Sequence, residues 1–442
     1  MAALTSPQVA HRRRERPDPE HHTSAPDAHH APGIAPGRRH VSAPAAPAPV
    51  VVDRAGLESL VADVAREDAY ALDTEFHTER TYVPELALIQ IAWADRVALV
   101  DPLAVDPAPL AQVFAGPGIA VAHACTQDLD VLMAACGVIP ATVFDTQIVA
   151  GFLGLSTPSL SRLVDAMLGV SLPKADRLSD WLERPMSDRQ ITYAVSDVAH
   201  LLELRTVLTD RLRASGRLDW ALNECDEVLS DRTPPARVPE EAWWRLGDIR
   251  SMSRRSRAVA QEVAAWRERT AAQSNRPRRQ VLSDLGLLAI SQRPPRNADE
   301  LRRARGVDGR HLAQGRAAEI LSAVHRGLDL PTESLRMPSE GRDAQAPAGA
   351  VAVCSGLVRQ IADDLDFDQA LLATRADISQ LLCNEPSRLD AGWRRTIVGD
   401  PLRRLIEGEV AAAFDRRGHL VLEERSHRPV AAPLSGAPPP QV

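Results

Sequence analysis

Long hydrophobic runs are missing from this sequence of 442 residues. No stretch approaches the roughly 18 consecutive apolar residues that a membrane span requires, and the N-terminus lacks the short apolar segment of a secretory signal peptide. These absences predict a protein that does not span a membrane and is located in the cytoplasm. The apolar fraction of 44% is ordinary for a globular protein, so the chain can still bury a core.

Cysteine and lysine are also scarce. The five cysteines contain no Cys-x-x-Cys pair and no spacing typical of a zinc site or a disulfide framework, so we expect them to be small apolar core residues. Lys174 is the one lysine among 52 basic side chains. The basic character of the chain therefore comes from arginine.

The net charge of −7 conceals an asymmetry. Residues 53–231 contain 13 basic and 28 acidic side chains, a net −15, whereas residues 239–331 contain 18 and 11, a net +7. A basic helical module suggests phosphate contacts, and an acidic module that must meet nucleic acid suggests bound divalent cations. Solvated surfaces without either role would explain the charges equally well, so charge alone leaves both interpretations open.

A chain of this length is expected to form two or three domains. Composition and periodicity predict disorder at both ends, an α/β domain first, and helical domains after it. The predicted segments are a disordered head (1–48), an α/β domain (49–232), a helical domain (239–331), a linker (332–350), a second helical domain (351–424) and a loose tail (425–442).

The α/β domain is predicted from short apolar runs that alternate with helical patterns. A meander of three strands comes first, followed by a buried strand, a helix and another short strand. These elements are Tyr70–Asp73, Leu86–Trp93, Val97–Val100, Ile119–His123, a helix from Thr126 to near Gly137, and Val143–Asp145. A capping box at Ser187 then begins a helix of about 25 residues. Such alternation indicates a mixed sheet with helices packed on it.

Carboxylates recur at positions where this fold could bring them together. Asp73 and Glu75 are separated by one residue at the end of a strand, so both project to one side, and a hard divalent cation would relieve their repulsion. Asp128 lies in the first turn of a helix, and Tyr193 and Asp197 lie one helical turn apart. Each pattern alone is more typical of a solvated acid, a helix cap or a core tyrosine.

Taken together, the motifs resemble the ribonuclease D family, the tyrosine subclass of the DEDD-type 3′–5′ exonucleases. Four segments appear in the family's order: DTEFHTERTYVPELALIQIA from Asp73, HACTQDLDVL from His123, FDTQIVAGFLG from Phe144, and GVSLPKADRLSDWLERPMSDRQITYAVSDVAHLLEL from Gly169. The resemblance implies an α/β, ribonuclease H-like 3′–5′ exonuclease domain, a mixed sheet flanked by helices, followed by all-α HRDC and HRDC-like helical domains.

The resemblance also implies the site and its chemistry. Asp73, Glu75, Asp128 and Asp197 would bind two divalent ions, Mg²⁺ or Mn²⁺, and Tyr193 would orient the attacking water. Asp73 would bridge both ions, Glu75 and Asp197 would hold the ion on the water side, and Asp128 the other. Asp145 is expected to support these ligands from behind. The implied reaction releases nucleoside 5′-monophosphates from RNA 3′ ends, with precursor tRNA the foremost substrate.

Residues 239–331 resemble an HRDC domain through EEAWWRLGDIRSMSRRSRAVAQEVAAWRERTA, NRPRRQVLSDLGLLAIS and RPPRNADELRRARGV. Arg276, Arg278 and Arg279 are predicted to contact the RNA backbone, whereas Trp243, Trp244 and Trp266 are expected in the core. A monomer is expected. Two other functions stay open at this point: a 3′–5′ DNA exonuclease with the same carboxylate motifs, and an RNA-binding protein that has lost activity.

Overall fold

A six-stranded mixed sheet forms the centre of the first domain in the computed structural model, which describes residues 48–173, 179–230, 238–247, 252–313, 315–337 and 346–426. The strand order is β1-β4-β3-β2-β5-β6; β2, β3 and β4 are antiparallel, and the other pairs are parallel. The strands are β1 (Val50–Val51), β2 (Ala69–His77), β3 (Glu85–Trp93), β4 (Arg96–Val100), β5 (Ile119–Ala122) and β6 (Val143–Asp145). This is the mixed sheet with a leading meander that the sequence predicts.

Helices cover both faces of the sheet. The helices of this domain are α1 (Arg54–Val64), α2 (Ala111–Phe114), α3 (Thr126–Cys136), α4 (Thr146–Gly151), α5 (Leu160–Leu168), α6 (Asp188–Ala199), α7 (Leu201–Ala214) and α8 (Leu218–Ser230). Leu57 and Leu60 of α1 and Leu129 of α3 pack on one face. Leu163 of α5 and Leu204 of α7 pack on the other. Apolar burial on both sides fixes the register of the strands.

The predicted helix of about 25 residues is divided in two. Its capping box at Ser187 and Gln190 is present, but the helix breaks at His200, between α6 and α7. Helix α6 lies against β2, β3 and β4, whereas α7 lies against β2 and β5. A single straight helix could not follow the twisted sheet across both areas, so the break lets each half bury its own apolar face.

The second domain is helical throughout its described residues, as predicted. It consists of a 3₁₀ helix (Pro239–Arg245), α9 (Arg254–Ser274), α10 (Arg278–Val281), α11 (Asp284–Gln292), α12 (Ala298–Arg302), α13 (Gly309–Leu312) and α14 (Arg316–Leu328). Trp243 and Trp266 are buried in its core, as expected, whereas Trp244 is only partly buried and packs against that core. Helix α14 packs directly on α9 at Gly327, where an added Cβ would lie 2.6 Å from the Cα of Val259.

The last domain departs from its helical prediction at the end. Helices α15 (Ala348–Leu365), α16 (Gln369–Leu372), α17 (Arg375–Leu382), α18 (Gly392–Arg394) and α19 (Asp400–Ile406) are followed by strands β7 (Val410–Phe414) and β8 (Leu420–Glu424). The helical interpretation of residues 410–414 is therefore wrong. Gly408 and Gly418 both have positive φ, which ends α19 and forms the hairpin turn, and the alanine-rich strand gave no alternating pattern to reveal it.

This last domain shares its core with the exonuclease-like domain. Phe152 packs edge-on against Phe367 and Trp393 with ring centroids 5.4 and 5.3 Å away, and Trp220 stacks on Trp393 at 5.6 Å. A buried ion pair joins Arg394 to Glu224 beside these rings. The sequence suggested a separate module, but its apolar residues complete the first domain. The predicted disordered head, the loose tail beyond residue 426 and Lys174 lie outside the described residues.

Candidate active site

Strand β2 places two carboxylates on one face of the sheet. Asp73 and Glu75 are separated by one residue, so their side chains project in the same direction. The sequence suggested that they end their strand, but β2 continues to His77 because its pairing with β3 resumes after a bulge between Glu75 and Phe76. The two acids therefore lie on a stretch of β2 that is paired with β3, just after the residues that pair with β5.

Helix α6 brings the third carboxylate to the same place. Tyr193 and Asp197 lie one turn apart on α6, which buried Ala194 and Val198 anchor to the sheet. One carboxylate oxygen from each of Asp73, Glu75 and Asp197 lies within 4.8 Å of the other two. Residues 124 positions apart in the chain thus meet in one cluster.

Asp128 approaches this cluster from α3. It lies in the first turn of the helix, and its Oδ1 accepts a hydrogen bond from the hydroxyl of Thr74. Its charge acts on both Asp73 and Glu75. The group of mutually close oxygens contains the other three acids and not Asp128. The fourth predicted acid therefore lies beside the cluster rather than within it.

Asp145 holds the turn that carries Asp128. Its buried carboxylate accepts hydrogen bonds from the backbone N–H groups of Ala124 and Cys125, each at 2.9 Å, and also caps α4. Ala124 has a positive φ of 56°, which is strained for a residue with a Cβ. The two hydrogen bonds stabilise this corner between β5 and α3, so Asp145 positions Asp128 from behind, where the sequence suggested a supporting role.

The electrostatics of the cluster are unfavourable for ionised acids. Burial and the charges of Asp197 and Asp128 raise the pKa of Glu75 to about 8. Burial raises the pKa of Asp197 to about 7, although a hydrogen bond from Tyr193 acts in the opposite direction. The pKa of Asp73 is raised well above its ordinary value by burial and by the charges of Asp128, Asp197 and Glu75. At neutral pH the binding of a cation between these carboxylates is therefore favoured, because it offsets their mutual repulsion.

The cluster fits divalent cations. Its donors are carboxylate oxygens, which Mg²⁺ and Mn²⁺ prefer. Oδ2 of Asp197 is buried and has no hydrogen-bond partner among the described residues, so it offers a free lone pair. Mutual repulsion and an unsatisfied buried oxygen are both relieved when cations bind.

Tyr193 stands beside the cluster with its hydroxyl protonated. Burial and the charges of Asp197, Glu75 and Asp73 raise the pKa of Tyr193 above its ordinary value. Its ring lies against Trp181, with centroids 5.9 Å apart. The ring is therefore held by packing, while its hydroxyl is a hydrogen-bond donor directed at the acidic group.

The sequence analysis missed Gln90. This residue pairs with Asp73 across β2 and β3 and is fully buried, yet neither its side-chain oxygen nor its nitrogen has a hydrogen-bond partner within the described part of the chain. Directly opposed residues share a face of the sheet, so Gln90 lies beside the site. Its signal was present: it is the one amide inside an otherwise apolar strand.

The β2–β3 loop is attached to the second domain by a partly buried contact, which we call the Glu268 clamp: Tyr82, Asn275, Glu268 and Arg278. The Tyr82 hydroxyl donates to Glu268 at 2.9 Å, and Arg278 Nε donates to the same carboxylate at 2.6 and 2.8 Å. The Arg278 guanidinium also lies 4.6 Å from the Tyr82 ring centroid. Asn275 Oδ1 accepts from the backbone N–H groups of Tyr82 and Val83.

The three arginines predicted to contact RNA therefore have different environments. Arg278 is half-buried and already paired with Glu268, so its charge is compensated within the protein. This compensation argues against a phosphate contact by Arg278. No local sequence pattern revealed the pairing, because Tyr82, the loop residue that shares Glu268, is 186 residues away from it. Arg276 and Arg279 are exposed and have no carboxylate partner among the described residues.

Comparison with known families supports the same domain order. Residues 49–213 match the 3′–5′ exonuclease family and residues 256–324 match the HRDC domain family. The described chain contains no helix long and apolar enough to cross a membrane.

The curated and structural relatives described below each cover more than four fifths of this chain. Ribonuclease D of Gluconacetobacter diazotrophicus is 38% identical over 84% of this chain and 95% of its own length. Ribonuclease D of Acidiphilium cryptum is 35% identical over 86% and 98%. The crystal structure of Escherichia coli RNase D, an exoribonuclease involved in structured RNA processing, is 30% identical, covers 81% of this chain and 98% of its own, and superposes with a TM-score of 0.75. With the exonuclease and HRDC matches in the same order, this chain belongs to the ribonuclease D family of hydrolytic 3′–5′ exoribonucleases.

Proposed function

We propose that this protein trims the 3′ ends of structured RNA, precursor tRNA above all, and releases nucleoside 5′-monophosphates. The observation that carries the proposal is the convergence of Asp73, Glu75 and Asp197 within 4.8 Å of one another, with Tyr193 on the same helix as Asp197. Similarity to E. coli RNase D, which is involved in structured RNA processing, supports the substrate class.

The proposed residue roles follow from this geometry. Asp73, Glu75 and Asp197, together with Asp128, hold two divalent ions, which we propose to be Mg²⁺ or Mn²⁺. When bound, such ions supply Lewis acidity to the attacking water and to the leaving 3′ oxygen. Tyr193 uses its protonated hydroxyl to orient the water for attack on phosphorus, and its packing on Trp181 limits the directions that the hydroxyl can take.

The remaining residues preorganise these groups. Asp145 and Thr74 fix the position of Asp128 through the hydrogen bonds described above. Water is the nucleophile in this scheme, so no covalent enzyme intermediate is formed.

The sequence left a 3′–5′ DNA exonuclease open, since proofreading domains share the carboxylate motifs, but the relatives that match this chain are ribonucleases. The basic second domain does not separate RNA from DNA, because both carry the same phosphates. An inactive RNA-binding protein is the second alternative, and the presence of all four acids and Tyr193 argues against it. A monomeric state and a cytoplasmic location stay predictions.

Trimming of a precursor tRNA with a short 3′ trailer tests the proposal. Purified protein with Mg²⁺ or Mn²⁺ should shorten the trailer stepwise from its 3′ end, and a DNA of the same sequence should be left intact. Equal degradation of the DNA would favour the proofreading-type alternative. Binding of the precursor without cleavage, under every metal condition, would favour the inactive binding protein.

A further inference from the structure

Four of the six residues that line one cavity in the HRDC domain are arginines. The cavity has a volume of about 600 Å³ and lies where the α9–α10 corner meets the start of α14. We call it the arginine pocket. Its lining residues are Arg276, Arg279, Gln280, Arg310, Ala313 and Arg316. No acidic residue is among them, so four cationic side chains surround one space.

Arg316 distinguishes this pocket from an ordinary basic surface. It is only 8% exposed, and no hydrogen bond or ion pair of its guanidinium occurs within the described residues. The other two buried arginines of the described chain are both compensated: Arg267 pairs with Asp284, and Arg394 pairs with Glu224. An arginine this enclosed gains favourable interactions when an anion binds beside it, and the described residues supply no anion to Arg316.

Neighbouring arginines and a helix N-terminus add further uncompensated positive charge to the pocket. Arg276 and Arg279 also lack a carboxylate partner among the described residues, whereas Arg310 is paired with Asp308 at 2.7 Å. Arg316 is the first residue of α14, a 13-residue helix with no side-chain cap at Gly315. The positive end of the helix dipole therefore adds to the arginines at the pocket.

We propose that the arginine pocket binds backbone phosphates of the RNA strand upstream of the 3′ end under cleavage. Guanidinium groups match phosphate oxygens in charge and in hydrogen-bond geometry. Three uncompensated arginines exceed the single negative charge of one phosphodiester, which favours a polyanion over a lone phosphate ion. The identification of the strand as RNA rests on the proposed function.

The position of the pocket on the α9–α10 corner supports this assignment. Asn275 and Arg278 of that corner contact the β2–β3 loop next to the candidate active site, while Arg276 and Arg279 of the same corner line the pocket. A strand held in the pocket is thus bound by the element that is also attached to the catalytic domain. RNA bound in the arginine pocket is therefore connected to the candidate active site through the α9–α10 corner and the β2–β3 loop.

RNA binding by full-length variants tests the proposal. All are made in the Asp73→Asn background, so that the RNA stays intact in the presence of Mg²⁺. Fluorescence anisotropy with a labelled single-stranded RNA is measured over a range of salt concentrations. We expect Arg279→Gln and Arg316→Gln each to weaken binding about five- to tenfold at 0.1 M salt and to flatten the slope of log K against log salt by about one phosphate.

Arg326→Gln is the matched control. Arg326 is an exposed residue of the same helix, changes the net charge equally, and is paired with Glu262 away from the pocket. Because Arg316 is buried, its variant is compared at temperatures where its circular dichroism equals that of the parent. Arg279 is exposed, so Arg279→Gln gives a result even if Arg316→Gln does not fold.

The proposal is overturned if Arg279→Gln binds RNA with the affinity and salt slope of Arg326→Gln. It is also overturned if inorganic phosphate raises the melting temperature of the parent in a manner that depends on Arg279, while RNA affinity does not depend on that residue. The pocket would then bind free phosphate. Hydrolysis by the wild-type protein is measured separately, so a failure of the proposed activity would not be confused with a failure of the pocket.

Discussion

Tyr193 is the residue whose two roles can be separated. Its ring packs on Trp181 and its hydroxyl acts on the acidic cluster. Tyr193→Phe keeps the ring and removes the hydroxyl, so we expect kcat to fall about 100-fold with KM little changed. The free energy of unfolding should change by less than about 1 kcal/mol. Steady-state kinetics and a denaturant melt check both values, and an unchanged kcat would exclude a role for the hydroxyl in turnover.

The raised pKa values of Glu75 and Asp197 predict how pH acts on the metal-free protein. Both groups have ordinary values near 4 and folded values of about 8 and 7, so the folded state binds protons more tightly than the unfolded state. Their contribution to stability is therefore fully present below about pH 4 and is lost as the pH rises towards 8.

Divalent cations should oppose this loss. We expect Mg²⁺ or Mn²⁺ to raise the melting temperature more at pH 8 than at pH 5.5, because protons compete with the cations for the same carboxylates at the lower pH. Thermal melts in EDTA and in metal at both pH values provide the measurement. In the Asp73→Asn variant the difference should be small, and a large pH-dependent metal effect in that variant would contradict the assignment of the site.

Residue identities at the site were largely predictable, and their surroundings were not. Asp73, Glu75, Asp128, Tyr193 and Asp197 were identified from ordered motifs, and the structure brings all five into one neighbourhood. Arg278 illustrates the limit: its spacing suggested a phosphate contact, but its charge is compensated by Glu268 in a clamp that also holds Tyr82. Partners that meet only in the folded state leave no local pattern.

The Glu268 clamp is the element that connects the HRDC domain to the candidate site. Glu268→Gln would leave Arg278 without a compensating charge, so we expect a loss of about 1–3 kcal/mol in stability. It should also lower kcat, because the β2–β3 loop joins the strand that carries Asp73 and Glu75. The sequence alone suggested that this domain serves mainly RNA affinity; the clamp adds an effect on turnover.

Glu262→Gln is the control for the clamp. Glu262 lies on the same helix and pairs with Arg326, and within the described residues it has no hydrogen bond to the loop. Differential scanning calorimetry and the kcat on a short RNA distinguish the two variants. Equal kcat values for both would show that the clamp is structural only.

The predicted helix boundaries were wrong where contacts with neighbouring elements, rather than local periodicity, decide the structure. The apolar pattern from Ser187 continues through His200, yet the helix breaks there because its two halves pack on different strands of a twisted sheet. Residues 410–414 have an alanine-rich sequence that is compatible with helix, and they form a strand because β8 pairs with them. In both cases the propensity of the segment was weak and the tertiary contact was decisive.

At the scale of the whole molecule, the C-terminal domain completes the catalytic domain. Trp393 contacts Phe152 and Trp220 across the shared core and is only 7% exposed. We expect Trp393→Ala to destabilise the protein by about 3–5 kcal/mol and to lower the temperature at which activity is lost. Phe414→Ala removes an aromatic ring that is 72% exposed and should change stability by less than about 0.5 kcal/mol.

Two separate melting transitions in Trp393→Ala would show that the C-terminal domain and the catalytic domain unfold independently. If Trp393→Ala melted the C-terminal helices in a first transition and left exonuclease activity stable to higher temperature, the shared core would not be a single cooperative unit. Activity and circular dichroism recorded over the same temperature range give the answer.

The central claim is that the four acids and Tyr193 form a metal-dependent 3′–5′ exoribonuclease site. The most direct measurement is hydrolysis of a 5′-labelled single-stranded RNA by the wild-type protein and by Asp73→Asn, with Mg²⁺ or Mn²⁺ and with EDTA. We predict a ladder that shortens from the 3′ end and yields nucleoside 5′-monophosphates, is abolished by EDTA, and is slowed about 1,000-fold or more in Asp73→Asn. Full activity of Asp73→Asn, or an unchanged ladder in EDTA, would contradict the account.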